Sequence, residues 1–176
     1  MKMHEVEIKI LDVDREKVID KLLKLGAKKI FDDIIYAVKY DTPDKKLEKD
    51  NKMLRLRMEG KKAVLTFKKN ISKGKAKTAE EFETEVPDLE EMSKILEGIG
   101  FAKLATFKKR RISYKIKDIR FEFEKYFDDY EKIPEFLEIE AEDVETLFKY
   151  VKLLGFKESD AHAWTIIDVM KYYESK

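Results

Sequence analysis

Pairs of ionised side chains recur along the chain at i, i+2 spacing. The acidic pairs are Glu5/Glu7, Glu83/Glu85, Glu122/Glu124 and Glu138/Glu140; the basic pairs are Arg55/Arg57 and Lys109/Arg111, joined by Lys9, Lys68 and Arg120. In an extended strand, residues two apart share a face, so each pair presents its charges together. Clustered carboxylates are hard oxygen ligands suited to Mg²⁺ or Mn²⁺, whereas Arg and Lys match phosphate oxygens, Arg often through two parallel bonds. Brought together, the two sets suit a metal-chelated polyphosphate.

The elements that carry these charges alternate in character. Val6, Ile8 and Ile10 separate Glu5, Glu7 and Lys9 in the first strand, giving one apolar and one ionised face. Asp14 then caps a helix to about Leu25, with Val18, Ile19, Leu22, Leu23 and Leu25 as its apolar stripe and Gly26 as its stop. Ile34 to Tyr40 reads as a strand ending in the turn Asp41-Thr42-Pro43-Asp44, and Met53 to Met58 as a strand reversing at Glu59-Gly60 into Ala63 to Lys69. Asn70 to Ala79, rich in Lys, Ser and Gly, reads as a mobile basic loop. Its Gly74-Lys75 lacks the preceding glycine of a phosphate-binding loop.

The opening pattern then returns twice. Glu83-Thr84-Glu85 and Glu138-Ile139-Glu140 each lead through an aspartate, Asp88 or Asp143, into an amphipathic helix closed by Gly100 or Gly155. A basic hairpin with Lys109, Arg111 and Tyr114 follows the second unit, and Ser159 to Tyr173 reads as a last helix containing Trp164. The whole is one α+β domain, 1–176, of roughly eight strands.

Two architectures satisfy this pattern. In one, an open sheet has helices on its apolar face and a solvated charged face. In the other, the sheet closes into a barrel with helices outside and the charges lining a wet or ligand-filled tunnel. Glu81, Lys108 and Arg110 are read in either case as charges that merely balance neighbours.

Composition narrows the function classes. The formal net charge of +1 gives no global attraction to nucleic acid or anionic membrane, and the absence of cysteine excludes disulfides, thiolate metal sites and a cysteine nucleophile. No apolar run approaches the ~20 residues of a membrane span, so a cytoplasmic protein is expected. Gln is absent, Asn occurs only at 51 and 70, and 43% of residues are charged, a composition like that of proteins from hot environments. His4-Glu5 lacks the second histidine of a zinc-protease helix.

In order, Glu5-x-Glu7-x-Lys9, Tyr40-Asp41-Thr42-Pro43, Leu54-Arg55-Leu56-Arg57, Leu65-Thr66-Phe67-Lys68, Glu83-x-Glu85, Lys109-x-Arg111-x-x-Tyr114 and Phe136-Leu137-Glu138-Ile139-Glu140 resemble the motifs of the CYTH family. That family comprises class IV adenylyl cyclases, thiamine triphosphatases and inorganic triphosphatases, also called triphosphate tunnel metalloenzymes. The resemblance implies a closed eight-stranded antiparallel β-barrel with helices outside. It also implies a divalent metal, Mg²⁺ or Mn²⁺, on Glu5, Glu7, Glu138 and Glu140 with Glu83 and Glu85 nearby. The triphosphate would lie on Lys9, Arg55, Arg57, Lys68, Lys109 and Arg111, with Arg120 assisting; Lys9, Arg57 and Glu124 are the expected catalytic residues. Glu124 stands where the family usually has aspartate, and His4 stands without the phenylalanine that accompanies it in the cyclases.

The expected reaction is that of a class IV adenylyl cyclase, ATP to cyclic AMP and pyrophosphate. Hydrolysis of inorganic or thiamine triphosphate is the alternative, and a non-catalytic phosphate or RNA-binding module using Tyr36, Tyr40, Phe107 and Tyr114 is the alternative of another class. Nucleic acid is not an expected partner; a homodimer is left open.

Overall fold

The structure, a computed structural model, describes residues 3–176, without the side chains of residues 3, 4 and 71–73. The His4 side chain therefore lies outside the described residues. In chain order the elements are β1 (Met3–Ile10), α1 (Arg15–Lys24), β2 (Lys28–Asp41), α2 (Lys46–Lys49), β3 (Lys52–Glu59), β4 (Lys62–Lys73), β5 (Lys77–Val86), α3 (Leu89–Gly98), β6 (Ala102–Ile116), β7 (Ile119–Tyr126), β8 (Phe136–Ala141), α4 (Val144–Leu153), β9 (Ala161–His162) and α5 (Ile166–Glu174).

The strand order is β5-β4-β3-β2-β6-β7-β8-β1, and pairing of β5 with β1 closes it into an eight-stranded barrel. Its pairings are antiparallel. The open-sheet alternative is thereby excluded. Strand β9 is an addition: β5 covers Met3 to Glu7 of β1, and β9 pairs with Lys9 and Ile10 beyond it.

The alternation read from the sequence decides which way each side chain points. Val6, Ile8, Ile10, Phe121, Phe123, Leu137 and Ile139 face outward and pack against Val18 and Leu22 of α1, Leu147 and Val151 of α4, and Leu154 just after it. Fully burying one such side chain contributes about 1.5–3 kcal/mol, so this outer layer is a strong constraint on strand parity. A second outer layer joins Leu54, Leu56 and Ala63 to Leu96 of α3. With the apolar faces covered from outside, the ionised faces have only the interior left.

The repeated helix units have repeated ends. Asp14, Asp88 and Asp143 accept hydrogen bonds from the backbone N–H groups of Lys17, Glu91 and Thr146, satisfying donors that the first turn leaves unpaired. Gly26, Gly100 and Gly155 have φ of 86°, 103° and 84°, the left-handed conformation that ends a helix.

Two readings from the sequence are corrected. Asn70 to Ala79 is not a loop: β4 runs to Lys73 and β5 starts at Lys77, with Ser72 opposite Thr78. The Lys/Ser/Gly composition is overridden because β1 supplies a partner strand and Ala76 is buried in the core. Ser159 to Tyr173 is not one helix: residues 158–160 form a 3₁₀ turn, β9 is extended, and α5 begins only at Ile166. Thr165 sets that start through a capping box with Asp168.

Candidate active site: the ionic interior of the barrel

Register brings the charged pairs into one interior belt. Glu7 lies opposite Glu140 and Lys9 opposite Glu138 across β1 and β8; Glu122 lies opposite Glu138 across β7 and β8, and Arg111 opposite Glu124 across β6 and β7. Cross-strand partners share a face, so these side chains converge. Glu7, Lys9, Arg57, Lys68, Lys109, Arg111, Glu122, Glu124 and Glu138 are all buried.

The carboxylates fall into two overlapping groups. Glu5, Glu7 and Glu140 form one and Glu122, Glu138 and Glu140 the other, each with ligand oxygens within 4.8 Å of one another. Glu140 belongs to both. Burial, then the neighbouring Glu122, Glu5 and Glu138, push its carboxyl well above the usual range; burial also pushes Glu122 up. Such crowding of hard oxygen donors fits a divalent cation, which would relieve the repulsion that now favours protonation.

The cations neutralise the remaining carboxylates. Lys68 pairs with Glu5 at 2.5 Å and Glu81 at 2.9 Å; Lys9 pairs with Glu138 at 2.5 Å and Glu7 at 3.2 Å; Lys77 reaches Glu7 at 2.9 Å. Burial alone would raise the Glu7 carboxyl, but Lys9, Lys77 and Lys68 together hold it at about 2. Likewise Lys68 outweighs burial at Glu5 and keeps it well below the usual range. Arg111 bonds Glu122 at 2.7 Å and Glu124 at 2.5 Å, and Lys109 bonds Glu124 at 2.8 Å. Those two cations overcome burial and hold Glu124 low. Arg57 bridges Glu59 and Glu83 at 2.9 and 3.0 Å.

Arg55 differs from the rest. Its Nε is buried without a hydrogen-bond partner, and among the described residues no carboxylate pairs with it. Burial and the nearby Arg57 lower its pKa, the signature of a guanidinium held among like charges. Leaving such a donor unpaired is costly unless a ligand supplies the acceptor.

Beyond Lys109 the inward positions become aromatic. Tyr126 lies opposite Lys109 and Phe136 opposite Glu124, their rings stacked at 6.1 Å, and Phe107 meets Tyr126 edge-on at 6.4 Å. Ile133 and Val169 of α5 pack on this cluster, with Trp164 at its margin. The Lys109 ammonium sits 5.3 Å from the Tyr126 ring centre.

Other residues fall differently from their sequence reading. Glu83 is exposed, though tied to Arg57 and Thr66. Glu85 stands exposed outside the belt, opposite Val64, paired with Lys62. Arg120 has the inward parity, opposite Glu140, but is exposed where β7 starts. Glu81, read as a mere balancing charge, is buried against Lys68, and Glu122, given no role, completes a carboxylate group. The i, i+2 pattern contained both: Glu81 shares the parity of Glu83, and Glu122 that of Glu124. Lys108 and Arg110 do lie on the outer face, over Tyr36 and Phe127 and against Asp32 respectively.

Fold and interior together define a closed β-barrel whose lumen is lined by clustered carboxylates and opposed cations. The chain belongs to the CYTH domain family, whose domain matches residues 3–162. It is 36% identical over 141 residues to a Methanocaldococcus jannaschii protein named "putative adenylate cyclase", covering 78% of this chain and 77% of that one. Among solved structures it is similar to the PH1012 protein of Pyrococcus horikoshii, with a TM-score of 0.77 and 27% identity over 94% of this chain and 98% of that one. A conserved hypothetical protein of Pyrococcus furiosus gives a TM-score of 0.75 and 26% identity over 94% and 99%. Among the described residues, no helix is long and apolar enough to cross a membrane.

Proposed function

We propose that this barrel is a metal-dependent triphosphate-processing enzyme, and that its reaction is cyclisation of ATP to cyclic AMP and pyrophosphate. The observation that carries the reading is the juxtaposition of two three-carboxylate groups with a half-buried Arg55, whose Nε is buried and unpartnered, in one lumen. The name of the 36% identical relative supports the finer assignment to cyclisation.

In this reading Glu5, Glu7 and Glu140, and Glu122, Glu138 and Glu140, are the groups that hold the divalent metal, Mg²⁺ or Mn²⁺. Bound there, the metal supplies positive charge against the phosphate oxygens and acidifies the attacking hydroxyl. The protein's own residues do the positioning. Arg55 accepts the triphosphate directly, having no carboxylate to give up. Lys9, Lys68, Arg57, Lys109 and Arg111 exchange a carboxylate contact for a phosphate contact. The ribose 3′-oxygen attacks the α-phosphorus as its proton passes to solvent, the bond to the bridging oxygen breaks, and pyrophosphate leaves with its charge met by Lys9 and Arg57. Glu124, kept ionised by Arg111 and Lys109, is suited to fixing those two cations rather than to taking up the proton.

The test is to incubate the purified protein with ATP, inorganic triphosphate and thiamine triphosphate, each with Mg²⁺ or Mn²⁺, and identify the products. Cyclic AMP with pyrophosphate is expected, and Glu5→Gln should reduce it strongly while the circular dichroism spectrum is kept. Orthophosphate without cyclic AMP assigns hydrolysis instead; no turnover of any triphosphate overturns the enzyme reading.

A further inference from the structure

The triphosphate reading leaves the other end of the substrate without a seat. Strand β9 brings one to the same lumen. His162 lies directly opposite Lys9 on β1, and cross-strand partners share a face, so His162 stands on the lumenal side beside a belt lysine. Its ring stacks on that of Trp164 at 4.1 Å with 20° between planes. Both are half-buried, neither enclosed like a core aromatic nor fully solvated. Trp164 adjoins the Tyr126 and Phe136 cluster inside the barrel end, and on its other contacts it meets Tyr172 at 5.3 Å. It also borders a surface hollow of about 500 Å³ shared with Tyr172 and Lys171.

Burial lowers the His162 pKa below its usual value, so the imidazole is neutral at pH 7 and stacks as an uncharged ring. Rings stacked face to face use one face each on one another, so a further flat ring can be added only on an outer face. Trp164 already meets Tyr172, and among the described residues no second ring contact falls on His162, which leaves the His162 side as the platform on which the stack can continue. Such a platform favours flat π-faces and has no counterpart need in an inorganic triphosphate.

We propose that the His162–Trp164 stack seats a planar aromatic heterocycle, a nucleobase or a ring of similar size, at the non-phosphate end of the substrate. The inference rests on the triphosphate reading and narrows it to organic triphosphates.

Trp164 is the sole tryptophan, so its fluorescence reports this place alone. Wild-type protein with Mn²⁺ is titrated with an α,β-methylene analogue of ATP and, separately, with inorganic triphosphate. The nucleotide should quench Trp164 and inorganic triphosphate should leave it unchanged, although calorimetry shows both to bind. Trp164→Leu and His162→Ala should each weaken nucleotide binding about tenfold and leave inorganic triphosphate binding as it was. Should Trp164→Leu fail to fold, His162→Ala and the wild-type fluorescence decide. If both ligands bind but act alike on fluorescence, or lose affinity equally in the variants, the platform is refuted and the triphosphate site stands. If neither ligand binds the wild type, both readings fall.

Discussion

Replacing Arg55 with methionine should move stability and function in opposite directions. The side chain lies inside the lumen with Nε buried and unpartnered, and its pKa is lowered by burial and by Arg57 and Arg111, opposed by Glu81 and Glu5. Leaving a buried donor unsatisfied costs about 1–3 kcal/mol, and methionine keeps most of the volume without the charge. The ligand-free R55M protein should therefore be more stable, by about 1 kcal/mol, which for a chain of this size raises Tm by about 2–4 °C. The triphosphate should meanwhile lose a buried charged contact worth about 2–5 kcal/mol, roughly a thirtyfold or greater fall in affinity. Thermal denaturation without ligand and calorimetry with inorganic triphosphate and Mn²⁺ measure the two halves. A destabilised R55M protein, or one that binds triphosphate as well as wild type, would refute the idea that Arg55 is held in waiting for an anion.

Three further outcomes are expected. Burial and a hydrogen bond shared with Glu5 push the Glu81 carboxyl up to about 7; a raised acid stabilises the fold while protonated, so that contribution is present below about pH 4.5 and lost as pH climbs through 7. Glu81→Gln should flatten the fall in stability between pH 5 and 7 seen in denaturation of the ligand-free wild type, whereas the low pKa of Glu7, about 2, should make both proteins lose stability as pH drops from about 4.5 toward 2. Glu140→Gln removes the carboxylate common to both groups, so Mn²⁺ should raise the Tm of wild type and leave that of the variant unmoved. Glu85→Ala should change turnover and Tm little, because the side chain is exposed and its pairing with Lys62 is a surface one; a large loss of turnover would return Glu85 to the site.

Much of this was legible because the outer core enforces parity. Val6, Ile8 and Ile10 must face α1 and α4, so Glu5, Glu7 and Lys9 must face the lumen, and the same holds for Glu138 and Glu140 between Leu137, Ile139 and Ala141. The starts of α1, α3 and α4 were each marked by an aspartate and their ends by a glycine. Parity does not say how deep along the barrel a residue falls. Glu81, Glu83 and Glu85 share one face, yet they differ in depth, because the stagger of β5 places Glu81 buried opposite Lys68, lets the exposed Glu83 reach Arg57, and leaves Glu85 opposite Val64 outside the belt. The last segment was misread for a related reason. The apolar residues of α5 suit a helix, but residues 161–162 take the edge of β1 that β5 leaves open, a vacancy set by tertiary pairing and invisible in local periodicity.

The ligand-free interior is arranged so that its own ions stand in for a cation and an anion. Lys68 and Lys9 occupy the positive places beside Glu5, Glu7 and Glu138 that a divalent metal would take in the proposed reading, and Glu124 occupies the negative place between Lys109 and Arg111 that a phosphate would share. Metal and triphosphate arriving together exchange partners instead of adding charge of one sign, so the large desolvation cost of buried ions is already met by the fold. Either ligand alone leaves one set unmatched: a metal without phosphate frees lysines that remain buried, and a phosphate without metal leaves Glu140 crowded by Glu122, Glu5 and Glu138. Binding of the two should therefore be mutually reinforcing, each raising the other's affinity by the same factor. Calorimetric titration of triphosphate at increasing Mn²⁺, and of Mn²⁺ at increasing triphosphate, reads that factor in both directions once chelation in free solution is subtracted. Equal affinities in all conditions after that subtraction would show that the barrel's internal ion pairs are permanent supports and not places kept for a ligand.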